Sequence, residues 1–213
     1  MKEIQQAMKE WQKERSYKEK LQQKLKQNPN NIKILIELGF MYMEDMDDTE
    51  KALRLLNRAL ILNPENVDAF FWIAMTYFHY FPNDLEKAKK LLEKALKIDN
   101  TRADCHHLIY NVINNLGENR EKHTFHLKKA IEMEPTWIRP RITFVYLLIS
   151  ANKLKEAQIV AQETLNVFNN LKTSTQITPI KKYYEKYITG RTSSIKPKIE
   201  TLFKRIKKAR LKL

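Results

Sequence analysis

The chain has 213 residues, 43% hydrophobic and 30% charged, which suits one soluble domain, or one domain with an appendage, with a substantial core. Its three glycines, Gly39, Gly117 and Gly190, are too few for a turn-rich β fold and too scattered for a phosphate-cradling loop. The formal charge of +14 divides into +4 over residues 1–29, −1 over 30–170 and +11 over 171–213, so a neutral body carries a basic tail, unlike a uniformly basic nucleic-acid binder.

A single cysteine, Cys105, cannot form an internal disulfide, so no oxidising compartment is implied. The first residues, Met1-Lys2-Glu3-Ile4, lack the apolar stretch of a secretory signal. No run of about 18 apolar residues occurs. A cytoplasmic protein without a transmembrane segment is expected.

In chain order, residues 1–27 read as one amphipathic helix with Ile4, Ala7, Met8, Trp11, Tyr17, Leu21 and Leu25 on its apolar face. Pro29 closes it. It serves either as a cap over the next helix or as a docking arm; terminal repeats need a covered face, which favours the cap.

Beyond Pro29 the sequence repeats itself. Asp48-Thr49-Glu50-Lys51-Ala52 recurs as Asp84-Leu85-Glu86-Lys87-Ala88, and Leu55-Leu56-Asn57-Arg58-Ala59-Leu60 as Leu91-Leu92-Glu93-Lys94-Ala95-Leu96, both at an offset of 36. Pro29, Pro64 and Pro135 keep the same beat, with Asn100 where a further proline is expected. A repeat of this length is one helical pair that cannot bury its own apolar stripe and must stack on its neighbours. Asp48, Asp84, Asn119 and Asn152 each precede a second-helix pattern and are N-cap candidates.

These residues resemble the tetratricopeptide repeat (TPR) pattern, W-x2-L-G-x2-Y, then A-x3-F, then P. The first repeat supplies Leu35, Leu38, Gly39, Tyr42, Ala52, Leu56, Ala59 and Pro64. The second supplies Phe70, Ile73, Ala74, Tyr77, Ala88, Leu92 and Ala95. The third, with His106, Ile109, Tyr110, His123, Leu127, Ala130 and Pro135, and the fourth, with Arg141, Phe144, Val145, Ala157 and Ala161, rest mainly on register. The resemblance covers about four repeats, 30–64, 65–100, 101–135 and 136–169, and implies an all-α fold: a right-handed α-solenoid of antiparallel helix pairs, here with an N-terminal capping helix over 1–29 and basic C-terminal helices over 170–213. Tyr110 and His123 stand where the pattern has two small residues, so the third repeat is expected to be irregular, either splayed or closed by a polar contact.

After residue 169 the register is lost. Residues 170–178 read as a loop, and Pro179 opens a helix with Ile180, Tyr183, Tyr184, Tyr187 and Ile188 on one face, ended by Gly190. Pro197 opens a last helix whose polar side carries Lys198, Lys204, Arg205, Lys207, Lys208, Arg210 and Lys212. Such a helix caps the array, docks on an acidic partner or nucleic acid, or adsorbs to anionic lipid. Lys204, Arg205, Lys207, Lys208 and Arg210 are the candidate contacts.

The resemblance further implies that a ligand sits in a concave groove lined by the first helix of each repeat. Carried onto this chain, the groove residues are Ile36, Phe40 and Met43, then Phe71, Met75 and Phe78, then His107, Asn111 and Asn114, and then Tyr146. Met and Phe make adaptable apolar pockets, and the asparagines both donate to and accept from a peptide backbone. The expected partner is a hydrophobic or extended segment of another protein; the rival is that the chain itself or a second copy covers the apolar part, giving a homodimer. Ile36, Phe40, Trp72, Asp104 and Leu108 occupy the places where chaperone-binding relatives carry a carboxylate clamp, and that clamp is missing.

Catalytic chemistry finds little support. His106, His123 and His126 could approach one another, but the spacings of common metal sites are missing. No nucleophile motif occurs. The expectation is therefore a non-enzymatic scaffold or chaperone-like adaptor with no cofactor or metal. The alternative is a helical-repeat protein that contacts nucleic acid through its basic tail, with aromatics interleaved among lysines at Lys181–Tyr187.

Overall fold

The computed structural model describes residues 2–44, 48–119, 121, 123–171, 201 and 204. Among these residues all regular structure is helical: α1 Lys2–Gln27, α2 Ile32–Glu44, α3 Thr49–Leu62, α4 Val67–Tyr80, α5 Leu85–Ile98, α6 Ala103–Asn115, α7 Thr124–Met133, α8 Ile138–Ser150 and α9 Leu154–Leu171, with a short 3-10 turn at Pro82–Asp84 before α5. The expected Pro179 helix and most of the last basic helix lie outside the described residues.

The chain divides into two compact units, Met1–Asn100 and Thr101–Leu213. In the N-terminal unit each helix packs on the next from α1 to α5, and the two first helices α2 and α4 also touch. In the C-terminal unit α6 packs on α7, α7 on α8 and α8 on α9.

The pairs close on small residues. Ala52 and Ala59 in α3, Ala88 and Ala95 in α5, Ala130 in α7 and Ala157 in α9 are fully buried. They recur seven residues apart along each of α3 and α5, on the side turned to the neighbouring helices. In α9 the second place is taken by Thr164, also buried, whose Oγ1 donates to the Val160 carbonyl at 2.6 Å. A Cβ added at Gly39 in α2 would lie 2.6 Å from Cγ and 2.8 Å from Cδ2 of Leu56 in α3. Gly39 is therefore a close-approach glycine, and its cost in helix propensity, about 1 kcal/mol, is offset by packing.

α1 lies on α2 as a covering helix. Leu21 is buried, and Leu25 packs into the cluster of Leu35, Ala59 and Ala69 with Ile32, Ile36, Leu55 and Leu60. Polar contacts rim this seam: Tyr17 Oη donates to Glu37 at 2.5 Å, Gln22 donates to the Tyr42 hydroxyl, and the Lys18 ammonium sits 3.7 Å above the Tyr42 ring.

Helix starts differ in part from expectation. Asp48 and Asp84 precede α3 and α5 but make no side-chain cap; they pair instead with Lys51 at 3.6 Å and Lys87 at 2.9 Å. Capping side chains belong to α2 and α4, where Asn31 Oδ1 accepts from Ile34 N at 3.1 Å and Asn66 Oδ1 from Ala69 N at 2.8 Å. Asn119 accepts from Glu121 N at 3.0 Å, and His123 occupies the N-cap of α7. Asn152 is no N-cap: with φ 58° it takes the left-handed place that ends α8, as Gly117 with φ 76° does after α6.

Gly39→Ala is expected to destabilise the chain by about 1 kcal/mol, since overpacking outweighs the gain in helix propensity. In a Leu56→Ala background, which by itself costs roughly 2–5 kcal/mol, the same change should become neutral or stabilising. A double-mutant cycle in urea reads the sign reversal.

Candidate partner-binding site

α2 and α4 carry the residues expected to line an apolar groove. Their burial runs around the helix instead of along one stripe: Leu38 to Met43 are buried without a break in α2, and Ala69 to Thr76 in α4. A helix with one open face breaks such a run every three or four residues. Phe40 is 7% exposed, Met43 0%, Phe71 3% and Met75 9%. The Trp72 ring lies 4.5 Å from that of Phe40 and 4.9 Å from that of Phe71. The expectation that Phe40, Met43, Phe71 and Met75 stand open to a partner is therefore corrected. α4 is apolar nearly all round, and such a helix is buried nearly all round. Ile36 and Phe78 are half-buried; Ile36 belongs to the Leu35 cluster, and Phe78 meets His79 edge-on at 5.1 Å.

The C-terminal unit holds a different surface on its first helices. His107 of α6 reaches α8, with Nε2 3.3 Å from Thr143 Oγ1 and 3.3 Å from the Asn111 side-chain amide. The Trp137 ring closes on His107 edge-on at 4.9 Å, and Trp137 is itself buried at the start of α8. Thr143 Oγ1 also donates to the Arg139 carbonyl at 3.1 Å. One turn before His107, Asp104 is held by Arg102 through two contacts of 3.0 and 2.7 Å and accepts from Cys105 N at 2.8 Å. Desolvation lowers the His107 pKa to about 3; Arg139 adds to the shift and Asp104 opposes it. At neutral pH the ring is a neutral donor and acceptor. Asn111 is half-buried beside it, Asn114 is exposed one turn on, and Tyr146 of α8 is 36% exposed.

The structure thus brings His107, Asn111 and Asn114 together on α6, with Tyr146 on α8, and separates them in character from the buried apolar set of α2 and α4. Trp137, Thr143 and Arg102 belong to this surface, though the repeat pattern did not single them out. Thr143 could have been found as the residue 36 places after His107.

His106 and His126 meet, while His123 Nε2 lies 3.6 Å from Glu118. No group of three ligating side chains able to hold a metal converges among the described residues. Lys204 is helical and exposed, whereas Arg205, Lys207, Lys208 and Arg210 lie outside the described residues. No helix among the described residues is long and apolar enough to cross a membrane.

Residues 45–109 match the tetratricopeptide repeat family. Similar solved structures include TTC0263, a thermophilic TPR protein in Thermus thermophilus, at 20% identity and a TM-score of 0.61, covering 75% of this chain and 86% of that chain. MamA from Desulfovibrio magneticus is similar at 16% identity and a TM-score of 0.60, covering 81% of this chain and 95% of that chain. YrrB, described as a TPR protein with an unusual peptide-binding site, is similar at 17% identity and a TM-score of 0.57, covering 89% of this chain and 91% of that chain. No curated protein sequence gives a significant match. The fold is the all-α tetratricopeptide one.

Arg102→Gln removes a two-point charged contact from the buried Asp104 and is expected to cost roughly 1–3 kcal/mol. Denaturant unfolding followed by Trp fluorescence checks this, since Trp137 reports on the same unit.

Proposed function

We propose that the chain is a protein-interaction scaffold, and that the face made by α6 and α8 receives an extended segment of a partner protein. The observation that carries this reading is the row of polar groups on that face, the half-buried His107 and Asn111 and the exposed Asn114 and Tyr146, braced by the contact of His107 with Thr143. Carboxamides and a neutral imidazole offer donors and acceptors to a peptide backbone without demanding a charge. A tyrosine at the rim adds a broad apolar surface at small entropic cost. The peptide-binding site named for YrrB supports the reading by analogy of fold.

A segment anchored by hydrophobic side chains fits less well, because Phe40, Met43, Phe71 and Met75 are already buried. Phe71→Ala is accordingly expected to cost roughly 3–5 kcal/mol of folding stability, as a core truncation does, and to shift the melting curve whether or not a partner is present. The basic tail as a phosphate-binding element rests on residues outside the described ones, and no observation on the described helices favours it.

The test uses affinity capture from a native extract with the intact chain and with the Asn111→Ala/Asn114→Ala/Tyr146→Ala variant, whose changes are at partly exposed positions and should leave the far-UV melting curve in place. A specific protein held at low and high salt should weaken about tenfold or more with the variant, since each lost hydrogen bond contributes about 1 kcal/mol. Capture unchanged by the three substitutions, or recovery of nucleic acid alone, would refute the assignment.

A further inference from the structure

The α2–α3 pair closes over Gly39, and in α4 and α5 Ala74 and Ala88 are fully buried. The α6–α7 pair has Tyr110 and His123 at the corresponding places. Tyr110 fills an apolar cluster with Leu127 and Leu147, against which Phe144 packs. Ala103 of α6 and Ala130 of α7 share a second small cluster with Trp137, against which Met133 packs, and a polar contact completes the closure. His106 of α6 and His126 of α7, 6% and 8% exposed, face each other with their Nδ1 atoms 2.8 Å apart.

Two imidazole Nδ1 atoms at that separation share one proton. One ring donates and the other accepts, so the two rings hold complementary tautomers. If both rings become imidazolium, two protons being taken up in all, two N–H donors point at each other and two positive charges are confined in a space nearly closed to water. Neither the hydrogen bond nor the ring approach survives that state. We propose that the His106–His126 pair is a proton-operated latch: the singly shared proton holds α7 against α6, and charging of both rings releases it.

Two carboxylates on the elements around the pair are already engaged with other groups. On α7, Phe125 lies 4.0 Å from the His126 ring, and His123 stands parallel to it at 6.2 Å. Of the two carboxylates in the α6–α7 turn, Glu118 is turned to His123 at 3.6 Å and Glu121 is exposed. On α6, the Asp104 carboxylate is taken up by Arg102 at 2.7 Å. From α8, the side chains in the adjoining cluster are the uncharged Leu147 and Phe144. α7 is also short, 10 residues against 14 in α3 and α5, and its buried residues are only His126, Leu127 and Ala130. The polar contact thus adds to an apolar seam made by few side chains, Leu127 and Ala130.

Burial, with His106 and His123 adding to it, lowers the His126 pKa from 6.5 to about 4. The closed form refuses a proton that the open form accepts. Closure is therefore fully supported above pH 6.5 and weakens as pH falls towards 4, by roughly a hundredfold in the closed-to-open ratio between pH 7 and pH 4.

Hydrogen exchange on the full chain over that range, corrected for the chemical rate, tests the latch. Protection of α7 amides should fall about a hundredfold relative to α9 amides. The His106→Gln/His126→Gln variant should flatten that fall, while His107→Gln, which removes the other acid-shifted imidazole of the unit, should leave it. Should the double variant not fold, 15N spectra of the native imidazoles decide. One Nδ1–H and one Nε2–H tautomer should be present at pH 7, and both rings should charge at the pH where α7 loses protection. Parallel loss of α7 and α9, a fall abolished by His107→Gln, or charging of both rings with α7 still protected would each overturn the latch.

Discussion

Everything in this fold depends on how closely two helices of a pair can approach. A fully buried alanine contributes little apolar area, so its value lies in what it does not occupy. Ala52, Ala88 and Ala157 let the second helix sit low on the first, and that approach brings Leu35, Leu56, Leu92 and Val145 into full burial. Gly39 is the tightest case, where even a methyl group meets the branch carbon of Leu56. Larger side chains at these places would push the pair apart and expose the leucines behind them, at a cost that grows with each methylene uncovered.

The parts legible in the sequence are those fixed by this constraint. A small residue needed at the crossing, a leucine one turn away and a breaker after the second helix repeat every 35 or 36 residues, because the same geometry is built again each time. Helix pairing follows directly. Capping was less legible. Asp48 and Asp84 look like caps from composition, yet each carboxylate turns to a lysine three residues on, a contact equally open to an exposed side chain at that place. Asn152 could have served as a cap or as a left-handed residue, and only the turn geometry after α8 chooses. The candidate groove was legible in position but not in exposure. The resemblance assigns Phe40 and Phe71 to a face, and nothing local to either residue states how that face is covered.

The first helices of the two units therefore play unlike parts. α2 and α4 use Phe, Met and Trp on faces that another chain would contact in an open array, and the structure commits those side chains to internal packing. α6 and α8 place Asn, His, Thr and Tyr at comparable positions, and those remain partly accessible. A polar face of this kind does not collapse on itself in the absence of a ligand, since water satisfies it at little cost. An apolar face left open would lower the stability of the free chain. This difference, and not the fold, gives the C-terminal unit the better claim to a docking role.

The consecutive histidines of α6 show how one helix serves two ends at once. Neighbouring residues on an α-helix point about 100° apart, so His106 turns to α7 and His107 to α8 without competing for space. His107 is steadied by a hydroxyl, an amide and an indole edge, none of which changes charge near neutrality. His106 meets another imidazole, the one side chain whose hydrogen-bonding role reverses within the ordinary pH range. Aliphatic packing at the α6–α7 crossing would have been insensitive to protons, as the alanines of the other pairs are. By closing one pair with two rings that share a proton, the chain places an ionisable seam beside the helix that also carries its most accessible polar face.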